Sequence, residues 1–346
     1  MKLIPIYVIQ SFHCSEGLYD MKNIPHRKAV FIVILLVLLA VSLAMSILGF
    51  NSDGTVSIRL KWIHQSQFAG YYMAQENNYY SEAGLDVVID PAGPNISSVQ
   101  LVASGANDFG VTSADQIIEA RSNGVPVVGV AVFFRNTPES LVSLRSTGIN
   151  SPSDLEGKTV GVIYGNDENS YRLFLEKADV DDESIREVAA VPGIAQILSG
   201  EVDAKMAYEM NDAVLLELQG YEVDIIRFRD YDVQLYADTL FTTEEMINNH
   251  PDIVQAVVDA TIKGWVDALD NPEHATEVVL SYNETLDYDH QLGYLRGVEP
   301  LIGEKTTIGL SDDSVWRNMR DTLYASGVIS TTEDTTRMYT NKFILP

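Results

Sequence analysis

Lys61-Trp62-Ile63-His64-Gln65-Ser66-Gln67-Phe68 sets a flat apolar ring beside a run of hydrogen-bonding groups, after the β-branched stretch 56–60 and before a helix start. Such residues bind rather than react. A planar ligand stacked on Trp62 gains about 0.5–1.5 kcal/mol beyond area burial, and polar neighbours such as Gln67 can orient it. The same tryptophan could instead pack between helix and sheet. Tyr72 and Tyr79 share a helix face with Phe68 and read as core. Thr112-Ser113-Ala114-Asp115-Gln116 follows a second strand-like stretch at 108–111. Ser113 and Gln116 have capping-box spacing, and a helix N-terminus at a sheet's carboxyl edge offers N–H groups to a polar ligand. A cap without a ligand is the alternative. With Asp115, these residues are candidates. Tyr208-Glu209-Met210-Asn211-Asp212 occupies the corresponding turn after 204–208. There Tyr208 could sandwich a ring against Trp62, with Asn211 and Asp212 reading its edge.

Catalytic chemistry is thin. The chain has no G-x-x-x-x-G-K-[ST] phosphate loop, no G-x-S-x-G nucleophile elbow and no H-E-x-x-H metal helix. His64, His250, His274 and His290 lack ligand spacing and read as surface or capping residues. The single cysteine, Cys14, excludes an intrachain disulfide and a thiolate metal site. No catalytic residue, metal or cofactor is expected. The 49 Asp+Glu against 23 Lys+Arg give a formal charge of -26. A nucleic-acid partner needs a basic footprint and adsorption on anionic lipid needs basic residues, so both are excluded. The acidity reads as a solvated surface.

The elements that must position these residues alternate. Strand-like runs at 56–60, 85–89, 108–111, 127–133, 159–163, 204–208 and 223–228 are separated by helical stretches such as 68–83, the signature of βαβ units. A helix over 252–270 has Ile253, Val257, Val258, Ile262, Trp265, Val266 and Leu269 on one face. After about Phe241 the chain reads as four consecutive helices. Ser104-Gly105-Ala106-Asn107-Asp108 and Ser199-Gly200-Glu201-Val202-Asp203 share the pattern S-G-x-x-D in the same helix–turn–strand setting. Either two βαβ units look alike by chance, or two lobes follow one plan. Ligands of open α/β sheets bind beyond the strands' carboxyl ends, and two lobes can face those ends across a cleft.

Residues 29–50 form an uninterrupted uncharged run behind Lys22, Arg27 and Lys28. At 1.5 Å rise per residue it spans a hydrocarbon core of about 30 Å, and the basic flank at 1–28 stays inside. An uncleaved anchor is favoured over a cleaved signal peptide with Ser42-Leu43-Ala44 as its site. Met21 begins a signal on its own, so 1–20 could precede the true start. Both versions put the folded part outside the cytoplasm.

From Trp62 to Tyr80 the chain reads W-x-x-x-x-Q-F-A-G-Y-Y-x-A-x-x-x-x-Y-Y, followed by Glu82-Ala83-Gly84-Leu85-Asp86-Val87, Ala92-Gly93-Pro94 and Gly110-Val111-Thr112-Ser113-Ala114-Asp115. With Asp154-Leu155-Glu156-Gly157-Lys158 and Gly264-Trp265, this resembles the substrate-binding proteins of ABC importers for thiamine-precursor pyrimidines. That family also includes riboflavin binders and fungal pyrimidine-precursor synthases. The resemblance implies a type II periplasmic-binding-protein fold of class α/β, with two lobes of mainly parallel sheets joined by two hinge strands. The lobes would be 55–143 plus 235–346, and 144–234. It implies that Trp62, Tyr208, Asn211 and Asp212 line the cleft, and that the partners are an ABC permease, its ATPase and, through the N-terminal helix, the membrane. The expected ligand is a thiamine-precursor pyrimidine, with riboflavin or another flat heterocycle as the alternative. A sensory ectodomain is the alternative class. The synthases carry a histidine where Phe68 stands, and a cysteine cluster that the exported part here lacks, so the synthase reading ranks last.

Overall fold

The structure, a computed structural model, describes residues 55–93, 96–165 and 168–344. The segment expected to cross the membrane, its basic flank and Cys14 lie outside the described residues. The first strands and helices are β1 (Thr55–Arg59), α1 (Ala69–Glu76), α2 (Tyr79–Glu82), β2 (Asp86–Asp90), α3 (Ser98–Ala103), β3 (Phe109–Thr112), α4 (Ala114–Ser122) and β4 (Val127–Val132). The chain continues through β5 (Glu139–Leu144), β6 (Thr159–Val162), α5 (Glu168–Lys177), β7 (Arg186–Ala189), α6 (Ala195–Ser199), β8 (Ala204–Tyr208), α7 (Val214–Leu218) and β9 (Val223–Arg227). After β10 (Thr239–Thr243) come α8 (Glu244–Asn249), α9 (Pro251–Asp270), α10 (Pro272–Tyr282), α11 (Tyr288–Ile302) and α12 (Asp313–Ala325). Five α-helices therefore follow the last strand, where the sequence suggested four.

Two five-stranded sheets form, in the orders β2-β1-β3-β10-β4 and β7-β6-β8-β5-β9. Each is mixed, with four strands running one way and one opposing them. The strand returning from the other half, β10 or β5, runs antiparallel to both of its neighbours. Because β5 belongs to the second sheet, the chain changes sheets between Val132 and Glu139, earlier than the expected 143/144. The two crossing segments bond to each other: Phe133 and Phe134 N–H donate to the Asp238 carbonyl, and Ala237 N–H donates to that of Phe134.

The repeated S-G-x-x-D segments do the same work in both sheets. Gly105 and Gly200 adopt φ +76° and +73°, the left-handed geometry that ends a helix without a Cβ clash. The Asp108 carboxylate then accepts the Ser57 N–H at 2.8 Å, and Asp203 accepts the Thr159 N–H at 2.8 Å. Each aspartate thus ties the start of its own strand to the neighbouring strand. The registers agree, with Ile58 opposite Phe109 in one sheet and Val160 opposite Ala204 in the other.

The helix expected over 68–83 breaks in two at Asn78, φ +62°, a conformation asparagine tolerates. Helix α9 buries Val254, Val257, Val258, Thr261, Gly264, Trp265 and Ala268, while Ile253, Ile262, Val266 and Leu269 stay half-exposed. The buried face is rotated because α9 crosses α1 at backbone contact. A Cβ on Gly264 would lie 2.0 Å from the Gly70 carbonyl oxygen, and one on Gly70 would lie 2.2 Å from the Trp265 ring. The Phe68-Ala69-Gly70 and Gly264-Trp265 segments are therefore two sides of one joint. It fixes α1, and with it the loop carrying Trp62, against the C-terminal helices.

Candidate ligand-binding site

The loop 60–68 leaves the carboxyl end of β1, and Tyr208 closes β8 in the other sheet. Lys61 joins them: its ammonium donates to the Tyr208 hydroxyl at 3.0 Å and pairs with Asp238 at 2.7 Å. The carboxyl edges of the two sheets thus face each other. Asp238, 1% exposed, also accepts the Gln67 amide on both oxygens at 3.0 Å. Burial pushes its pKa up, opposed by Lys61 and by the Gln67 amide. Pairing with Lys61 and the Gln67 amide offsets part of the cost of burying a carboxylate. The oxygen of Gln67 accepts from the Gln65 amide and from the Tyr294 hydroxyl.

Helix α11 braces this edge. The Gln291 side-chain oxygen accepts the Ser66 N–H at 2.7 Å, which turns its amide toward His290 Nδ1 at 3.2 Å. Nδ1 is therefore the acceptor, and Nε2–H donates to the Asn211 carbonyl at 3.3 Å. Burial lowers the His290 pKa; the Asn211 contact, Asp287 and Asp212 oppose the shift. On the same helix a Cβ at Gly293 would meet Val214 at 2.6 Å, and one at Gly297 would meet Met210 at 2.6 Å. Residues 209–213 form a π-helical turn, a deviation frequent at functional sites, and α11 lies directly against it.

The expected residues divide by exposure. Trp62, Ser113, Tyr208 and Asn211 are half-buried and keep surface at the strand ends. Continuing the β1–β3 register past Arg59 opposite Gly110 brings Ser113 level with Trp62. Gln67, Asp115 and Asp212 are buried. Gln67 supports Asp238. Asp212 pairs with Lys205 at 2.5 Å, both nearly inaccessible, and Lys205 also donates to the Gly193 carbonyl at 2.7 Å. Asp212 thus ties the π turn to Lys205, and Asn211 donates its amide to Asp212 at 3.2 Å. The Ser113–Gln116 capping box does not form. Gln116 accepts instead from the Thr112 hydroxyl at 2.8 Å, and the first N–H of α4, at Ala114, donates to the Tyr236 carbonyl. Residues missed in the sequence are Lys61, Asp238, Tyr294, His290 and Gln291. Only Lys61, next to Trp62, carried a signal that could have been read.

Two sheets with facing carboxyl edges define the periplasmic-binding-protein class of fold. The aliphatic-sulphonate-binding protein SsuA of Escherichia coli superposes with TM-score 0.68 at 18% identity, over 83% of this chain and 92% of that one. The chain belongs to the NMT1/THI5-like family, whose model matches residues 65–275. It is 27% identical over 306 residues to the riboflavin-binding protein RibY of Chloroflexus aurantiacus, covering 84% of this chain and 86% of that protein. It is 31% identical over 241 residues to the formylaminopyrimidine-binding protein of Halalkalibacterium halodurans, covering 68% and 72%. Other relatives are 4-amino-5-hydroxymethyl-2-methylpyrimidine phosphate synthases.

Proposed function

We propose that this chain is an extracytoplasmic solute-binding protein of an ABC importer with a type II clamp. It captures a flat aromatic heterocycle and hands it to a permease and its ATPase. Its lobes part at the crossings near 133–138 and 228–238. Residues 29–50 hold it at the membrane, consistent with the basic flank before them. A thiamine-precursor pyrimidine is the ligand read from the resemblance; riboflavin is the second reading, favoured by a relative that matches 84% of the chain. The observation that carries the proposal is the Lys61–Tyr208 contact at 3.0 Å. It brings two half-buried aromatic residues, Trp62 and Tyr208, to facing strand ends, where ligands of α/β proteins bind. The network around Asp238 fixes the loop that presents Trp62, and Asn211 supplies a polar group at the opposite edge. The synthase reading finds less support, because Phe68 is fully buried and stands where the synthases carry a histidine.

Thermal-shift screening of flat vitamins and their precursors identifies the ligand, since binding to the native state alone raises the melting temperature. Titration calorimetry then tests the clamp. Trp62→Ala is expected to lose about 3 kcal/mol of binding from area and stacking, with little change in ligand-free melting. Unchanged affinity together with a large fall in melting temperature would make Trp62 a core residue and end this reading.

A further inference from the structure

The two sheets share more than their aspartate turns. Ser57 and Thr159 are the strand residues whose N–H groups the two aspartates bind. Five residues after Ser57 stands Trp62, and five after Thr159 stands Tyr164; five after Asp108 stands Ser113, and five after Asp203 stands Tyr208. The equal registers of β1 with β3 and β6 with β8 make these pairs equivalent positions at the carboxyl edges. Three of the four, Trp62, Ser113 and Tyr208, already belong to the candidate site. The fourth, Tyr164, does not.

Tyr164 is 48% exposed and reaches Glu187 with its hydroxyl at 3.4 Å. Continuing the β6–β7 register beyond Val162 opposite Ala189 sets Val191, 46% exposed, beside it. Adjacent strands lie about 4.8 Å apart. By these registers Val191, Tyr164 and Tyr208 stand at neighbouring positions of the second sheet's carboxyl edge, about 10 Å from first to last. Neither Tyr164 nor Val191 is among the buried residues of the second sheet's cores. Their exposure is therefore not a by-product of core packing.

We propose that Tyr164 is a further ligand-contacting wall of this cleft, the second-sheet counterpart of Trp62, taking a ring fused to or carried by the one clamped at Trp62 and Tyr208. This rests on the proposed function. A single six-membered ring covers one position of the row; a ligand with two or more coplanar rings covers Tyr208 and Tyr164 together.

The test measures riboflavin and 4-amino-5-hydroxymethyl-2-methylpyrimidine against the full-length chain and its Tyr164→Ala, Tyr164→Phe and Trp62→Ala variants. Tyr164→Ala is expected to weaken riboflavin about tenfold and the single-ring probe less than twofold, because stacking and area are lost only where a second ring reaches it. Tyr164→Phe keeps riboflavin within about twofold, since the ring is retained. Ligand-free melting stays within about 2 °C, as befits a half-exposed residue. Riboflavin affinity unchanged in Tyr164→Ala but lost in Trp62→Ala overturns the role of Tyr164 and leaves the clamp standing. Affinity lost in Tyr164→Ala but kept in Trp62→Ala supports Tyr164 and removes the clamp at Trp62. A wild-type chain that binds neither probe overturns both.

Discussion

The first and second sheets share a plan but present different edges. Both have a left-handed glycine, an aspartate that binds the neighbouring strand's N–H at 2.8 Å, and the same parallel register. At the carboxyl ends of the strands they diverge. The first edge carries Lys61 and Trp62 over a network of Gln65, Gln67, Asp238 and Tyr294. The second carries Tyr208 and a π turn held by the Lys205–Asp212 pair. A side chain at a strand end contributes nothing to the backbone ladder itself, so it can change with little loss of the fold. Scaffold and recognition are thus separated along a single strand, a few residues apart.

The largest expected effect tests whether the aspartate turns are equivalent. Asp108→Ala and Asp203→Ala each leave a strand N–H without its charged acceptor and should each cost about 2 kcal/mol, read by urea denaturation. Asp108 also accepts from the Ser57 hydroxyl, so its replacement should cost slightly more. A loss confined to one of the two would break the equivalence.

A smaller effect concerns the contact of His290 on α11 with the π turn. His290 has a folded pKa below its usual 6.5 because it is buried. The unfolded chain therefore binds more protons below about pH 6.5. The stability His290 contributes is complete above that pH and is lost as the pH falls through its folded value. His64, also lowered by burial, adds acid sensitivity within the first half. Melting curves from pH 8 to 5 should show His290→Gln less acid-sensitive than the wild type, and equal slopes would mean that His290 does not titrate there.

The smallest effect separates ring from hydroxyl at the second edge. Tyr208→Phe removes the acceptor of a Lys61 proton but keeps the ring and the cation–π contact, 5.4 Å to the centroid. A change in ligand affinity under about 1 kcal/mol is expected. A loss as large as that of Trp62→Ala would show that the hydroxyl, not the ring face, is what the second edge contributes.

Much of the scaffold was legible because it follows local rules. The strand at 204–208 matches to the residue, and the S-G-x-x-D turns could be seen as a pair before their function was known. Strands β5 and β10 were missed because buried Ser140, Ser143, Thr239 and Thr242 interrupt their apolar pattern. Two of those hydroxyls bond to distant carbonyls; Ser140 donates to Ala207 and Thr242 to Asp108. Strand β7 is an edge strand with no buried residue, so it carries no apolar signal.

By itself the sequence determined that aromatic and polar residues stand just past strand ends, because periodicity and turn chemistry act over a few residues. Only the tertiary structure decided which of them keep a surface. The amide of Gln67 finds Asp238, 171 positions away, as its partner. The π turn brings Asp212 onto Lys205, a pairing that only the fold determines. A carboxylate or amide is available to a ligand only if no nearer partner satisfies it. Which partner is nearer depends on how distant segments pack, and no local pattern encodes that.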